Sequence, residues 1–280
     1  MKNYISLMKL RVVELLLVTT LPALFLASKG VPDLSITFWS LVGGTFAAGG
    51  ANAFNMVIES VLMKRTAKRP IATGEISKRN GLVFATFISL ISLLIFYIST
   101  TILATLLTLL AILFYVFGYT IALKKHTSQN IVWGGIAGCM PVLIGQAAVT
   151  NTLSLTSWMF FFLIFFWTPP HFWALAVRYK DDYLAAGIPM LPVVAPIKSV
   201  INQMWFHSLA MVVFSLLVIW SASLPIWLGV ITLLLIVGWK NQLIKLTKDP
   251  SEVNAGKLFQ ASIVFLSIYS FLLVIGVLLK

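Results

Sequence analysis

The sequence predicts an all-α, polytopic membrane protein of about nine transmembrane helices. Two observations carry the class. First, 60% of the residues are hydrophobic and only 10% are charged, whereas a soluble surface needs roughly 25% charged residues. Second, the apolar residues fall in long unbroken runs, and a bilayer core of about 30 Å takes about 20 helical residues. Barrel strands alternate in hydropathy, so continuous runs leave helices as the way to satisfy the backbone in lipid.

The first run, 12–28, follows a short polar start and has no cleavage-site pattern after it, so it reads as a retained span. The others are 36–59, 81–99, 102–123, 130–150, 154–177, 199–221, 225–239 and 259–279. The eighth is short because its apolar run stops before Lys240. All belong to a single domain, 1–280. Gly43, Ala47 and Ala51 recur at four-residue spacing in the second span, as do Gly44 and Ala48, and Gly134 and Gly138 do so in the fifth. Small residues at that spacing let helices approach closely. Cys139 is alone in an apolar run and reads as packing.

A formal charge of +12 raises the question of nucleic acid. The placement of the charge argues for topology instead, and no nucleic-acid partner is expected. All Lys and Arg residues except Lys29 and Lys280 fall in the N-terminal tail or in the segments after spans two, four, six and eight. The positive-inside rule therefore puts the N-terminus and those segments in the cytoplasm, and the C-terminus on the opposite side of a bacterial-type membrane.

Polar residues inside spans are costly and are functional candidates for that reason. The second span ends in N-A-F-N-M-V-I-E, which places Asn52, Asn55 and Glu59 within an arc of about 60° on one helix face. Two amides and a carboxylate form an oxygen-rich patch suited to Mg²⁺, and equally suited to interhelical hydrogen bonding. Next to it stand Lys64, Arg65, Lys68 and Arg69, with a turn at Pro70 and at Thr73-Gly74. Cations beside an oxygen patch are what a diphosphate site requires, because Arg grips phosphate bidentately and Lys acts as a point charge.

A second constellation ends the sixth span. Pro169 and Pro170 are expected to break or kink that helix. His171 follows, about 10 Å below Arg178 if the segment is helical. If the helix persists, His171, Arg178 and Asp182 share a face, with Lys180 and Asp181 between the last two. Spans 1–4 and 5–8 then read as two loosely similar halves whose acidic ends face one cavity.

Four segments together resemble the heme-farnesylating branch of the UbiA-type intramembrane prenyltransferases. They are N-A-F-N-M-x-x-E, M-K-R-T-A-K-R-P-I-A-T-G-E-I-S, Y-T-x-x-L-K-K-H-T-x-Q-N-I-V-W-G-G-I-A-G-C-M-P and W-T-P-P-H-F-W-A-L-A-V-R-Y-K-D-D-Y. The last of these and the run Gly187 to Pro192 are particular to the heme branch. The resemblance implies that the helices surround a central cavity with a cap of cytoplasmic loops. It implies that farnesyl diphosphate and heme b are the substrates, and that farnesyl and water add to a vinyl group to give heme O and diphosphate. It implies Mg²⁺ held by Asn52, Asn55, Glu59, Asp181 and Asp182. It implies diphosphate binding by Arg65, Lys68, Arg69, Lys124 and Lys125, and roles at the substrates for His171, Arg178 and Lys180. Downstream partners would be a heme A synthase or terminal-oxidase assembly factors.

Two departures stand out. The segment after Glu59 is shorter than the family's pattern and lacks a second acid, and Leu10 stands between Lys9 and Arg11 where the family has proline. The competing readings are a UbiA-type enzyme with an aromatic or quinone-precursor acceptor, a secondary transporter broken at Pro169-Pro170, and a non-catalytic heme-binding assembly protein.

Overall fold

The computed structural model describes residues 2–59 and 69–280, with Arg11 and Val12 described by their backbone only. It is helical throughout, with no strand among the described residues. The helices are α1 Lys2–Leu7, α2 Leu10–Ser28, α3 Leu34–Ile58, α4 Lys78–Ser99, α5 Ile102–Leu113, α6 Asn130–Thr150 and α7 Leu155–Arg178. They continue as α8 Lys180–Ala185, α9 Leu191–Val194, α10 Ile197–Ser221, α11 Ile226–Lys248 and α12 Glu252–Leu278. A π-helix, Phe114–Leu123, carries α5 onward without a break. Among the described residues, eight helical stretches are long and apolar enough to cross a membrane, and α2 adds a shorter one, Val13–Ser28. The protein is an integral membrane protein.

Several of these helices start on a side-chain cap. Asp33, Ser77, Thr101, Ser154 and Ser251 each accept a backbone N–H of the first turn. Such caps satisfy donors that a helix cannot satisfy itself.

Two expectations about the spans change. The helix does not break at Pro169-Pro170: α7 runs through both prolines to Arg178. Proline removes a donor but holds a helical φ, and both rings are buried on a helix packed against α10 and α12. The eighth span is not short either, because α11 continues to Lys248. Hydropathy ends at Lys240, but Leu243 and Leu246 remain buried on the same helix while the lysines face outward.

The chain forms two compact units. The first comprises Met1–Leu123 and Met140–Leu153, and the second Lys124–Cys139 and Ser154–Lys280. The division expected between spans four and five appears at Leu123–Lys124, but the second half of α6 belongs with the first unit, and α12 belongs with the second.

In the first unit α3 packs along α4. A Cβ on Gly50 would run into the Ser89 side chain, so glycine is what permits that approach. Ser92 donates to the Gly43 carbonyl across the same interface (2.7 Å). Leu7, Ala53, Met56, Val57, Ile71, Ile76 and Ala85 form a buried cluster around the end of α3. The outward face of α4 carries Phe87, Leu90, Leu94, Tyr97 and Ile98, all exposed and apolar, as a helix against lipid requires.

In the second unit α7 lies against α10 and α12. Tyr269 of α12 donates to the Ser215 carbonyl of α10 (2.7 Å), and Trp239 of α11 to Ser208 of α10 (3.1 Å). Phe166 stacks on Phe214 (5.4 Å between ring centres). Close approach in α6 occurs at Gly135, against Thr168, while Gly138 of the expected pair faces open space. Cys139 is buried and donates to the Gly135 carbonyl (3.1 Å), a packing role.

Candidate functional site

Asn52, Asn55 and Glu59 come together as the sequence predicts, on the last turns of α3, and all three are buried. Glu59 is the C-cap, its N–H donating to the Asn55 carbonyl (3.0 Å). Hydrogen bonds from other segments set both amides. Asn52 donates through Nδ2 to the Met8 carbonyl (3.1 Å), and Asn55 donates through Nδ2 to Thr120 Oγ1 (3.2 Å). With each nitrogen held by an acceptor, the oxygens are the ends left for cations and donors. Asn55 Oδ1 accepts from the Lys9 ammonium (2.8 Å), and Asn52 Oδ1 from the Tyr115 hydroxyl (3.4 Å).

Two irregular pieces of backbone bring these partners in. Lys9 joins α1 to α2 in the left-handed region (φ 52°, ψ 55°). That conformation is costly for a residue with a side chain. Gly49 makes room beneath it, since a Cβ there would meet the Met8 side chain. The π-helix supplies Tyr115 and Thr120, whose hydroxyl donates to the Tyr115 carbonyl five residues back (2.9 Å). Wide turns of this kind are often found at functional sites.

The donors present fit Mg²⁺. They are two amide oxygens and a carboxylate, with no soft ligand, and the Lys9 ammonium on Asn55 Oδ1 occupies a place that a metal ion would take from it. No group of three or more His, Cys, Asp or Glu residues could hold a metal among the described residues. The α3 face by itself therefore offers a cation one carboxylate and two amide oxygens, to which substrate phosphate oxygens would add.

Arg65 and Lys68 lie outside the described residues. Arg69 is half-buried at the expected turn, where its carbonyl accepts from the Thr73 N–H (3.0 Å) and Gly74 has φ 79°. Lys124 and Lys125 follow the π-helix in a turn that Asn130 closes by donating to the Lys124 and Thr127 carbonyls (3.2 and 2.8 Å).

The second constellation lies wholly in the second unit. His171 is buried on α7. Its ring lies between Trp167 (4.3 Å between centres, 20°) and Phe259 (4.5 Å, 26°), with Phe172 edge-on (4.9 Å). Its Nδ1 meets Ser262 Oγ at 2.5 Å. The expected common face with Asp182 does not form, because α7 stops at Arg178 and α8 begins at Lys180 beyond the kink at Tyr179. Arg178, Lys180 and Asp181 are exposed, and Asp182 is half-buried in the first turn of α8. The Arg178 guanidinium lies beside Gly256 of α12 and over the Tyr179 ring (5.5 Å).

Lys9, Tyr115, Thr120 and Ser262 are contacts that sequence reasoning missed. Thr120 stands in the quoted Y-T-x-x-L-K-K-H segment and so left a trace. Ser262 left none beyond being a serine in an apolar helix.

The sequence profile of the UbiA prenyltransferase family matches residues 16–273. The protoheme IX farnesyltransferase of Streptomyces avermitilis is 43% identical over 278 residues, 95% of this chain and 90% of that one. That of Streptomyces coelicolor is 49% identical over 219 residues, 77% of this chain and 70% of the relative. Among solved structures, a digeranylgeranylglyceryl phosphate synthase superposes with a TM-score of 0.81 at 16% identity, covering 100% of this chain and 99% of that one. A UbiA homologue from Archaeoglobus fulgidus bound to GPP and Mg²⁺ superposes at 0.71 with 18% identity, over 97% and 99% of the two chains.

Proposed function

The chain belongs to the UbiA prenyltransferase family, and from that membership we propose that it transfers farnesyl from farnesyl diphosphate to a vinyl group of heme b. Water adds in the same reaction, and the products are heme O and diphosphate. The observation that carries this reading is the 43% identity to a protoheme IX farnesyltransferase over 95% of the chain. One prenyltransferase domain, 1–280, spans both units.

The reaction breaks the allylic C–O bond of the donor and leaves its electron pair on diphosphate. A vinyl carbon of heme bonds to the farnesyl carbon. Water adds to the cation so formed and loses a proton. Preorganised positive charge around the leaving group is the strongest lever for such a step. Arg65, Lys68, Arg69, Lys124 and Lys125 are the residues proposed to supply it.

Asn52, Asn55 and Glu59 are the donors proposed for Mg²⁺, with Asp181 and Asp182 as further donors. When bound, Mg²⁺ neutralises charge on the departing diphosphate. Met8 and Thr120 hold the amide nitrogens, so that the amide oxygens would be the ends available to a cation. His171 binds the heme iron or orients the water. Arg178 and Lys180 bind a heme propionate or the diphosphate. The N-terminus faces the cytoplasm and the C-terminus the other side, and a heme A synthase or terminal-oxidase assembly factor receives the product.

Expression in a heme-producing host, followed by heme extraction and mass analysis, tests the reading. The expected product is heme b plus farnesyl and water. Unmodified heme b together with a prenylated aromatic acceptor would replace the assignment with another UbiA-type reaction. Bound but unmodified heme in a purified assay containing farnesyl diphosphate and Mg²⁺ would make the chain a binding protein.

A further inference from the structure

The neighbours of His171 dictate which of its ring nitrogens carries the proton. Ser262 of α12 has one hydroxyl proton to give. Its Oγ is hydrogen-bonded to the Phe259 carbonyl, one turn back on the same helix. A carbonyl oxygen has no proton, so the hydroxyl is the donor in that bond, a common habit of helical serines. What Ser262 Oγ offers His171 is then a lone pair. The contact between Nδ1 and Oγ, at 2.5 Å, is a hydrogen bond only if Nδ1 carries a proton. The neutral ring has a single N–H, so Nε2 keeps its lone pair.

The rest of the pocket holds this arrangement still. Trp167 and Phe259 stack on the two faces of the imidazole and prevent a ring flip. The Trp167 indole N–H donates to the Ser262 backbone carbonyl (3.0 Å). Ser262 therefore grips α7 twice, by its hydroxyl and by its carbonyl. His171 is buried and stands one residue past two prolines in a helix that stays unbroken.

We propose that Ser262 is a positioning residue that locks His171 in the Nδ1–H tautomer and presents Nε2 as a lone-pair donor. On the heme farnesyltransferase reading, on which this second step rests, Nε2 binds the iron of the acceptor heme. Outer partners of this kind orient a ligating histidine, and their loss weakens metal binding by about 10- to 100-fold.

The test uses the full-length protein in lipid nanodiscs with ¹⁵N-labelled histidine. The His171 signals are identified by their loss in His171→Gln. The expected wild-type spectrum shows the proton on Nδ1 and a bare Nε2. In Ser262→Ala the proton shifts towards Nε2, and Ser262→Thr restores the wild-type pattern. A proton on Nε2 in the wild type overturns the proposal, and that spectrum decides even if Ser262→Ala fails to fold. A spectrum unchanged by Ser262→Ala overturns it too. Titration with ferric heme forms the second arm. Heme affinity is expected to fall about tenfold or more in Ser262→Ala and to recover in Ser262→Thr. Unchanged affinity in both Ser262→Ala and His171→Gln, with the tautomer as expected, overturns the iron ligation and supports the lock alone.

Discussion

The asparagine face of α3 and the histidine nest of α7 are both buried polar sites, built in opposite ways. At the asparagine face, polar partners come from the α1–α2 link and from the π-helix, and a lysine supplies charge. At the histidine nest, aromatic rings cover a single polar group that has one side-chain hydrogen-bond partner. The first suits the handling of charge, because amide oxygens and cations stabilise charge that moves. The second suits the presentation of one neutral atom at a set angle, because stacked rings restrict rotation and exclude water. A helix end next to basic segments therefore suits charge work, and an aromatic nest suits a neutral group, because an uncompensated charge there would be costly.

The contrast can be broken by substitution. The largest effect is expected for Asn55→Ala, which removes the oxygen under Lys9 and the donor to Thr120 together. Loss of one preorganised electrostatic group costs roughly a hundredfold in turnover. Farnesyl diphosphate consumption by the purified variant should fall by about that factor, while heme binding stays intact. Weakened heme binding in this variant would mean that the two sites are not separate in function.

The next effect is expected for His171→Ala. Heme affinity and the heme absorption spectrum should change, with affinity falling by at least as much as on loss of its outer partner Ser262, about tenfold or more. Affinity for farnesyl diphosphate, measured by isothermal titration with Mg²⁺ present, should not change. An unaltered heme spectrum with normal heme O formation would remove His171 from the site.

The smallest effect is expected for Tyr115→Phe. Its bond to Asn52 is long, at 3.4 Å, and a net hydrogen bond contributes about 0.5–1.5 kcal/mol. A fall in kcat/KM of less than about tenfold follows, measured beside Asn55→Ala. A loss as large as that of Asn55→Ala would show that the hydroxyl, and not the amide alone, touches the reacting groups.

Much of this was legible in the chain before folding. The cores of α3 and α4 follow from the apolar runs 36–59 and 81–99, while their starts at Leu34 and Lys78 came with the caps Asp33 and Ser77. The grouping of Asn52, Asn55 and Glu59 follows from helical periodicity alone. The turn at Arg69 to Gly74 follows from Pro70 and glycine. The misreadings have physical causes. Pro169-Pro170 reads as a break because each ring lacks an N–H, yet packing against α10 and α12 keeps the helix intact. The eighth span reads as short because Lys240 ends the apolar run, yet a helix does not stop where hydropathy does.

The sequence by itself determined the helical membrane class, the polar faces and the basic segments. These depend on burial of the backbone in lipid and on a period of 3.6 residues, both of which act over one helix. Only the tertiary structure decided the partners. Lys9 meets Asn55 across 46 positions, and Ser262 meets His171 across 91. Such pairings depend on which helix faces pack together, and no local pattern records that. The direction of each amide and the tautomer of the imidazole follow from those partners, because a donor and an acceptor must face each other wherever water is excluded.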